Sequence, residues 1–303
     1  MNSQTQTVQR HLCLYGAMSQ GELKNLLELR SIDPDARKQQ IMDHWKEAAK
    51  RFQLLATAES GLTDSIGITD IESKWEELVR TFSQHPLFKA TFSAVPTEFK
   101  IVEADKLVAS QRTVNLDYVA SILKGYQNSE ENLLRFCLDP VREQPLPRIM
   151  RSQQNAFTFS SINPDFRFLG AYEKQVVSIT PEAVNIGGQP VWSVVLLVGY
   201  GISTINAFQV NRRVILNNGF HRAYVLRRLG IERIPLAIQV VTSAELEFPP
   251  VVAHLPKDYL LKTLRPALLK DFLDPQLVCE ISIPVAIRAI KTAWGADQSD
   301  VPV

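Results

Sequence analysis

Asn211-Arg212-Arg213-Val214-Ile215-Leu216-Asn217-Asn218-Gly219-Phe220-His221-Arg222-Ala223-Tyr224-Val225-Leu226-Arg227-Arg228-Leu229-Gly230-Ile231-Glu232-Arg233-Ile234-Pro235-Leu236-Ala237-Ile238 is the stretch whose reading decides the fold. Val214-Ile215-Leu216 reads as a short buried strand, Asn217-Asn218-Gly219 as a tight turn, and Phe220 to Leu229 as a helix closed by Gly230 at its C-terminal cap. A second strand, Ile234 to Val240, follows directly. A strand that ends in Asn-Gly and feeds a helix aims free backbone N–H groups at the space above the turn, where the helix dipole favours negative charge. His221 and Arg222 stand in the first helical turn, where the dipole disfavours cations by roughly 0.3–1 kcal/mol; an anion bridging them to the backbone accounts for that placement. Asn218, Gly219, His221 and Arg222 are therefore the candidate residues for holding phosphates.

Charge gathers around the same stretch. Between Val210 and Pro235 there are six arginines, Arg212, Arg213, Arg222, Arg227, Arg228 and Arg233, against the single acid Glu232, in a chain whose net charge is +1. Arg227, Arg228 and Arg233 suit a solvated helix C-terminal half, which favours cations, and Arg212 and Arg213 read as strand-edge charges. Arg222 sits at the wrong end of the helix for that explanation.

Gly219-Phe220-His221-Arg222-Ala223, with Leu229-Gly230-Ile231 ahead of the strand at Ile234, resembles the G-x-[HR]-R-x-x-A box of the ParB/sulfiredoxin fold, which in that family binds nucleotide phosphates. The family's upstream strand, polar turn and helix resemble Phe99 to Gln111 followed by Val114 to Leu123. The resemblance spans residues 99–125 and 191–240. It implies an α+β fold with a mixed-sheet core over 96–243, interrupted by an insertion at about 126–190, between an N-terminal helical region, 1–95, and a C-terminal helical extension, 244–303. It also implies that Ser110 and Gln111 approach the base or sugar of a nucleoside triphosphate, ATP or CTP with magnesium. Phe220 stands where sulfiredoxins carry their catalytic Cys, which argues against thiol-phosphate chemistry. Gln111 stands about where the amino-acid kinases of that fold carry an acid, and an amide cannot serve as a general base.

Composition sets the outer bounds. At 303 residues the chain can bury a full core, and 45% apolar with 21% charged residues is ordinary for a globular protein. A net charge of +1 gives no global electrostatic case for nucleic acid or an acidic membrane. No apolar run spans a bilayer and Met1-Asn2-Ser3-Gln4 lacks a secretion signal, so a soluble, cytoplasmic protein is expected. Cys13, Cys137 and Cys279 are odd in number and have no C-x-x-C spacing, so neither a disulfide framework nor a zinc site is indicated.

Asp33-Pro34 reads as a helix start, with Ile41, Trp45, Ala48, Ala49, Phe52 and Leu55 on one face. Thr69-Asp70-Ile71-Glu72 reads as a capping box ahead of Ile71, Trp75, Leu78, Val79 and Phe82, and the two patterns suggest a helical hairpin. Its aromatic stripe is core or, alternatively, a partner-binding groove. Asn132 to Leu138 reads as a helix. Phe157, Phe159, Phe166 and Phe168, then Val176 to Thr180 and Trp192 to Val198, read as strands, with Ile186-Gly187-Gly188-Gln189-Pro190 as a turn. Residues 257–303 read as helices, Tyr259 to Phe272 broken near Pro266 and Val285 to Trp294, with six basic and six acidic residues, and supply no DNA-reading helix.

Three functions follow as expectations. The first is a nucleotide-binding ParB-like module with a regulatory or assembly role. The second is a nucleotide-dependent phosphotransferase or hydrolase, with Glu103, Asp105 or Asp117 as base and magnesium shared with the phosphates. The third is a ParB-type DNA partition or transcription factor, weakened by the missing reader helix. DNA binding by this chain alone is not expected, nor is a membrane partner, while a protein partner through the helical regions is compatible with all three. Whether bound nucleotide is turned over stays open at this level.

Overall fold

The computed structural model describes residues 7–153, 155–163, 165–176 and 191–299, and the chain is of the α+β class. It divides into two compact units: one runs through Arg142 and resumes over Ile202–Val285, and the other comprises Glu143–Gly201 with the residues from Ala286 onward. The first contains β1 (Val8–Cys13), α1 (Gln20–Leu29), α2 (Asp35–Ala58), β2 (Ile68–Thr69), α3 (Glu76–Gln84), α4 (Pro86–Thr91), β3 (Thr97–Glu103), β4 (Thr113–Asn115), α5 (Leu116–Gly125) and α6 (Glu130–Leu138). The second unit takes β5 (Arg148–Gln153), β6 (Ala156–Ser161), β7 (Phe166–Val176) and β8 (Val191–Tyr200). The first then continues with β9 (Asn206–Val210), β10 (Arg213–Asn218), α7 (Phe220–Arg228), β11 (Arg233–Val241), α8 (Ala244–Glu247), β12 (Val251–Val252), β13 (Leu255–Pro256), α9 (Lys257–Lys262) and β14 (Cys279–Pro284). A last strand, β15 (Arg288–Ala293), belongs to the second unit.

The core of the first unit is a five-stranded mixed sheet in the order β10-β9-β11-β3-β2, parallel between β9 and β11 and antiparallel elsewhere. Its inner strands β9 and β11 and the neighbouring β10 are largely buried, whereas β3 alternates apolar residues with Glu98, Lys100 and Glu103 towards the β2 edge. Val214 and Leu216 enter a core shared with Phe220, Ala223 and Leu226 of α7, while Ile215 between them enters the opposite core with Phe208, Phe248 and Leu268. That alternation is the period-2 geometry of a strand, and each fully buried side chain contributes roughly 1.5–3 kcal/mol. Beyond β10 the layer continues without regular strands. Val108 N–H donates to Val214 O and Leu216 N–H donates to Val108 O, both at 3.0 Å, while Ala109 N–H donates to Ala267 O at 2.8 Å. Residues 107–109 thus run parallel to β10 and are covered on their outer edge by the segment around Leu268.

A second, three-stranded antiparallel sheet, β14-β1-β4, closes the unit. Its inner side chains Cys13, Ile281 and Ile283 pack with Leu23, Leu27, Ile41 and Ala48 of α1 and α2. In the second unit β5, β6 and β15 form one antiparallel sheet and β7 with β8 a long hairpin.

Several sequence expectations need correction. The N-terminal region is not purely helical, because β1 and β2 each join a sheet. Asp33 does not cap α2: its carboxylate accepts from Ser282 N–H at 2.8 Å and from Ser31 Oγ at 2.7 Å, and Pro34 takes the cap position. Thr69 is no capping residue either, since it pairs with Ile101 in β3 and α3 starts only at Glu76. Val285 to Trp294 contains β15 in place of a helix: Arg288, Ile290 and Thr292 pair with Ser161, Phe159 and Phe157 of β6, a partner that local pattern does not reveal. The interruption of the core falls at 143–201, not 126–190, because α6 packs Leu134, Cys137 and Leu138 into the main core. Both flanking regions up to Val285 belong to the same unit as that core. The expected turn at Ile186–Pro190, and the strand residues 177–180, lie outside the described residues.

Candidate functional site

The turn between β10 and α7 is built as its sequence requires. Gly219 has φ +84°, a left-handed conformation, and a Cβ there would meet Ile205 Cγ1 at 2.7 Å, so both backbone and packing demand glycine. Asn218 Oδ1 accepts from Gly219 N–H at 2.8 Å and its Nδ2 donates to Ile202 O at 2.9 Å. Asn217 donates to Asn206 Oδ1 at 2.8 Å. The amide groups of this turn therefore brace the loop that enters β9.

His221 and Arg222 are anchored inward. Asn115 N–H donates to His221 Nε2 at 3.1 Å, which places the ring proton on Nδ1, and Tyr118 meets the imidazole edge-on at 5.2 Å. Burial first, and the neighbouring His11 second, push the His221 pKa down to about 4. The ring is neutral near pH 7 and supplies no positive charge. Arg222 is 7% exposed; its Nη1 donates to Phe136 O at 2.8 Å and its Nη2 to Ser203 O. The first-turn cation is thus held by backbone carbonyls of α6 and of the segment ahead of β9. This corrects the expectation that His221 and Arg222 present a charged cradle.

Three more arginines of the cluster are drawn apart by their partners. Arg213 is no edge charge: it is 6% exposed, pairs with Asp64 through Nε at 3.0 Å, and donates from Nη1 to Leu260, Leu261 and Thr263 carbonyls at 2.8–3.0 Å. Arg227 grips Asp105 with two bonds, at 2.5 and 3.1 Å, and Arg233 donates to Thr69 Oγ1 at 2.6 Å.

The candidate bases are equally committed. Glu103 accepts from Lys106 at 2.8 Å and Gly67 N–H at 2.7 Å, and the lysine, then the amide, hold its pKa below the usual carboxylate range. Asp117 accepts from the Arg10 backbone at 2.8 Å and its guanidinium at 3.1 Å, which lowers its pKa as well. Asp105 is held by Arg227. A carboxylate tied into an ion pair, as all three are, is a poor general base. Among the described residues no three His, Cys, Asp or Glu side chains come together in a metal-ligating group.

What the fold does bring together is the upstream turn and the end of β10. The parallel bridge between Val108 and Ile215 carries the chain of 109–112 to the same edge of the sheet as Asn217 and Asn218. Ser110 is 1% exposed and its Oγ has no hydrogen-bond partner among the described residues. Gln111 beside it is half-buried. Arg112 stacks its guanidinium on the Tyr259 ring, 4.7 Å from the centroid, while its Nε and Nη1 are buried without hydrogen-bond acceptors among the described residues. Tyr259 is itself fixed, since its hydroxyl accepts from Ala267 N–H at 2.8 Å. Buried guanidinium donors left unmade are costly, each lost bond of a charged group being worth about 1.5–3 kcal/mol. Sequence reading passed over Arg112; its signal is a guanidinium one residue past Gln111, in a turn that the strand 99–103 carries to the sheet edge. Comparisons with family models, with curated proteins and with solved structures find no match for this chain.

Proposed function

We propose that the chain binds the phosphates of a nucleotide in the turn 110–112 beside the end of β10, as a binding module with a regulatory or assembly role. Arg112 is the cation in this reading, with Ser110 and Gln111 as neutral hydrogen-bonding neighbours. The observation that carries it is the pair of buried, unmade donors on Arg112, two residues along the chain from Ser110, whose hydroxyl is likewise unpartnered among the described residues. Support also comes from the resemblance to the ParB/sulfiredoxin fold, whose two boxes correspond to two segments that lie side by side in this chain. The Nε and Nη1 hydrogens of a guanidinium face different directions, so in this reading each donor meets a separate phosphate oxygen, and the aromatic backing fixes the plane in advance. Magnesium would arrive with the triphosphate, since Glu103, Asp105 and Asp117 are engaged elsewhere. The same engagement favours binding over turnover.

A thermal-shift series with ATP, CTP and GTP plus magnesium tests the proposal. Ligand at 100 times its dissociation constant adds about 2.7 kcal/mol of stability and raises the melting temperature. The rise is expected with at least one nucleotide and is expected to vanish in Arg112→Leu, which keeps the stem over Tyr259. A folded wild type that responds to none of them contradicts the proposal.

A further inference from the structure

Cys13 stands directly opposite Cys279 in the antiparallel pairing of β1 with β14. Val285 N–H donates to Thr7 O at 2.9 Å, and because an antiparallel ladder alternates, Cys13 and Cys279, an even number of steps along, also form a hydrogen-bonded pair. Such pairs hold their Cα atoms about 5.5 Å apart, inside the range a disulfide spans, with Cβ atoms at the wide end of about 4.5–5.5 Å, so closure draws the two strands together locally. Residues opposite each other share a face of the sheet, and here both pack into the cluster with Tyr15, Met18 and Leu23. Cys13 is fully buried with its Sγ 3.6 Å from Met18 Sδ, whereas Cys279 is only half-buried. Contact with Cys279 first, and burial second, push the Cys13 thiol well above its ordinary pKa. Cys137 lies in a different core, among Leu134, Leu138 and Val225.

We propose that Cys13 and Cys279 form a reversible oxidation site, closed to a disulfide by a low-molecular-weight disulfide such as oxidised glutathione and reopened by a thiol reductant. Cys279, the accessible member, loses its proton to solvent and attacks one sulfur of oxidised glutathione; a new S–S bond forms and one glutathione thiolate leaves. Cys13 then attacks the Cys279 sulfur, giving its proton to the second departing glutathione thiolate. Two protein thiols are oxidised and one glutathione disulfide is reduced to two thiols, by the ordinary course of thiol–disulfide exchange. The bridge covalently joins the first strand of the chain to its second-last. It also fixes the register next to β4, where Leu14 N–H donates to Arg112 O at 2.9 Å.

The test equilibrates the intact folded chain in oxidised or reduced glutathione, quenches with acid, alkylates in denaturant so that the buried thiols are reached, and counts thiols by mass. Three alkylated thiols are expected in the reduced sample and one, on Cys137, in the oxidised sample, with a digest that yields Cys13 and Cys279 in one linked peptide and a higher melting temperature. Cys279→Ser is expected to keep both remaining thiols with no loss of two hydrogens, and Cys13→Ala serves as the second variant if the serine protein is unstable. Three thiols persisting in the oxidised folded protein overturn the proposal. So does a bridge to Cys137, or a glutathione adduct on Cys279 that Cys13 never resolves.

Discussion

At the scale of single residues, identity and context separate arginines that look alike in the sequence. Arg222 and Arg112 each lie beside a turn, but Arg222 donates to the carbonyls of Phe136 and Ser203, while two Arg112 donors have no acceptor among the described residues. Arg222→Ala is therefore expected to cost stability, about 3 kcal/mol or more, because it strips donors from buried carbonyls; urea unfolding measures it. Gly219→Ala and Gly230→Ala make a second contrast. Both positions have positive φ, +84° and +83°, but only at Gly219 does a Cβ collide, with Ile205. Gly230→Ala is expected to cost about 1 kcal/mol and Gly219→Ala clearly more, in the same assay. His221 gives a pH signature. Its folded pKa of about 4 lies below the ordinary 6.5, so the unfolded chain takes up a proton that the folded chain refuses. Stability is expected to be unaffected by this group above pH 6.5 and to fall as pH drops toward 4, by on the order of 2–3 kcal/mol. His221→Gln is expected to flatten that part of the pH profile; an unchanged slope would contradict the assignment.

At the scale of elements, the strand–turn–helix–strand from Arg213 to Val241 was legible because everything that shapes it is local: apolar runs, Asn-Gly, and a terminal glycine. The helices Leu116–Gly125 and Glu130–Leu138 were legible for the same reason. What escaped sequence reading depends on distant partners. Apolar Val285 to Trp294 is compatible with either helix or strand until β6 is available to pair with it. The site residues divide likewise: Gly219 forms the turn that the pattern put there, but Ser110 and Gln111 lie well past the end of β3 at Glu103, and bonds that anchor Arg222 and His221 come from segments 86 and 106 residues away. Arg213 binds the C-terminal elements to β10 through three carbonyls and Asp64. Arg213→Met is expected to loosen residues 257–273 and to lower stability by about 2–3 kcal/mol, since three backbone acceptors lose their donor while the half-exposed Asp64 carboxylate stays in reach of water. Hydrogen exchange across 260–269 checks it, and unchanged protection would show that the apolar contacts alone hold this segment.

At the scale of the whole molecule, the first unit has its own core and its own closure. Ser203 N–H donates to Pro140 O at 2.9 Å and Thr204 Oγ1 to Leu138 O at 2.9 Å, so the two chain ends that flank residues 143–201 are already clasped together. Replacing 143–201 by a short glycine-serine linker and ending the chain at Val285 is expected to give a cooperatively folding protein. Ending it at Val278 is expected to fail, because β1 then loses the β14 partner and Ile281 and Ile283 leave the core. Among the described residues no helix is long and apolar enough to cross a membrane. Whether an anion meets Arg112 at the end of β10 is decided by a crystal structure of the intact chain soaked with nucleoside triphosphate and magnesium. Phosphate oxygens are expected within hydrogen-bonding distance of Arg112 Nε and Nη1. Nucleotide bound elsewhere, or Arg112 unmoved and unliganded at saturating nucleotide, would contradict the proposal.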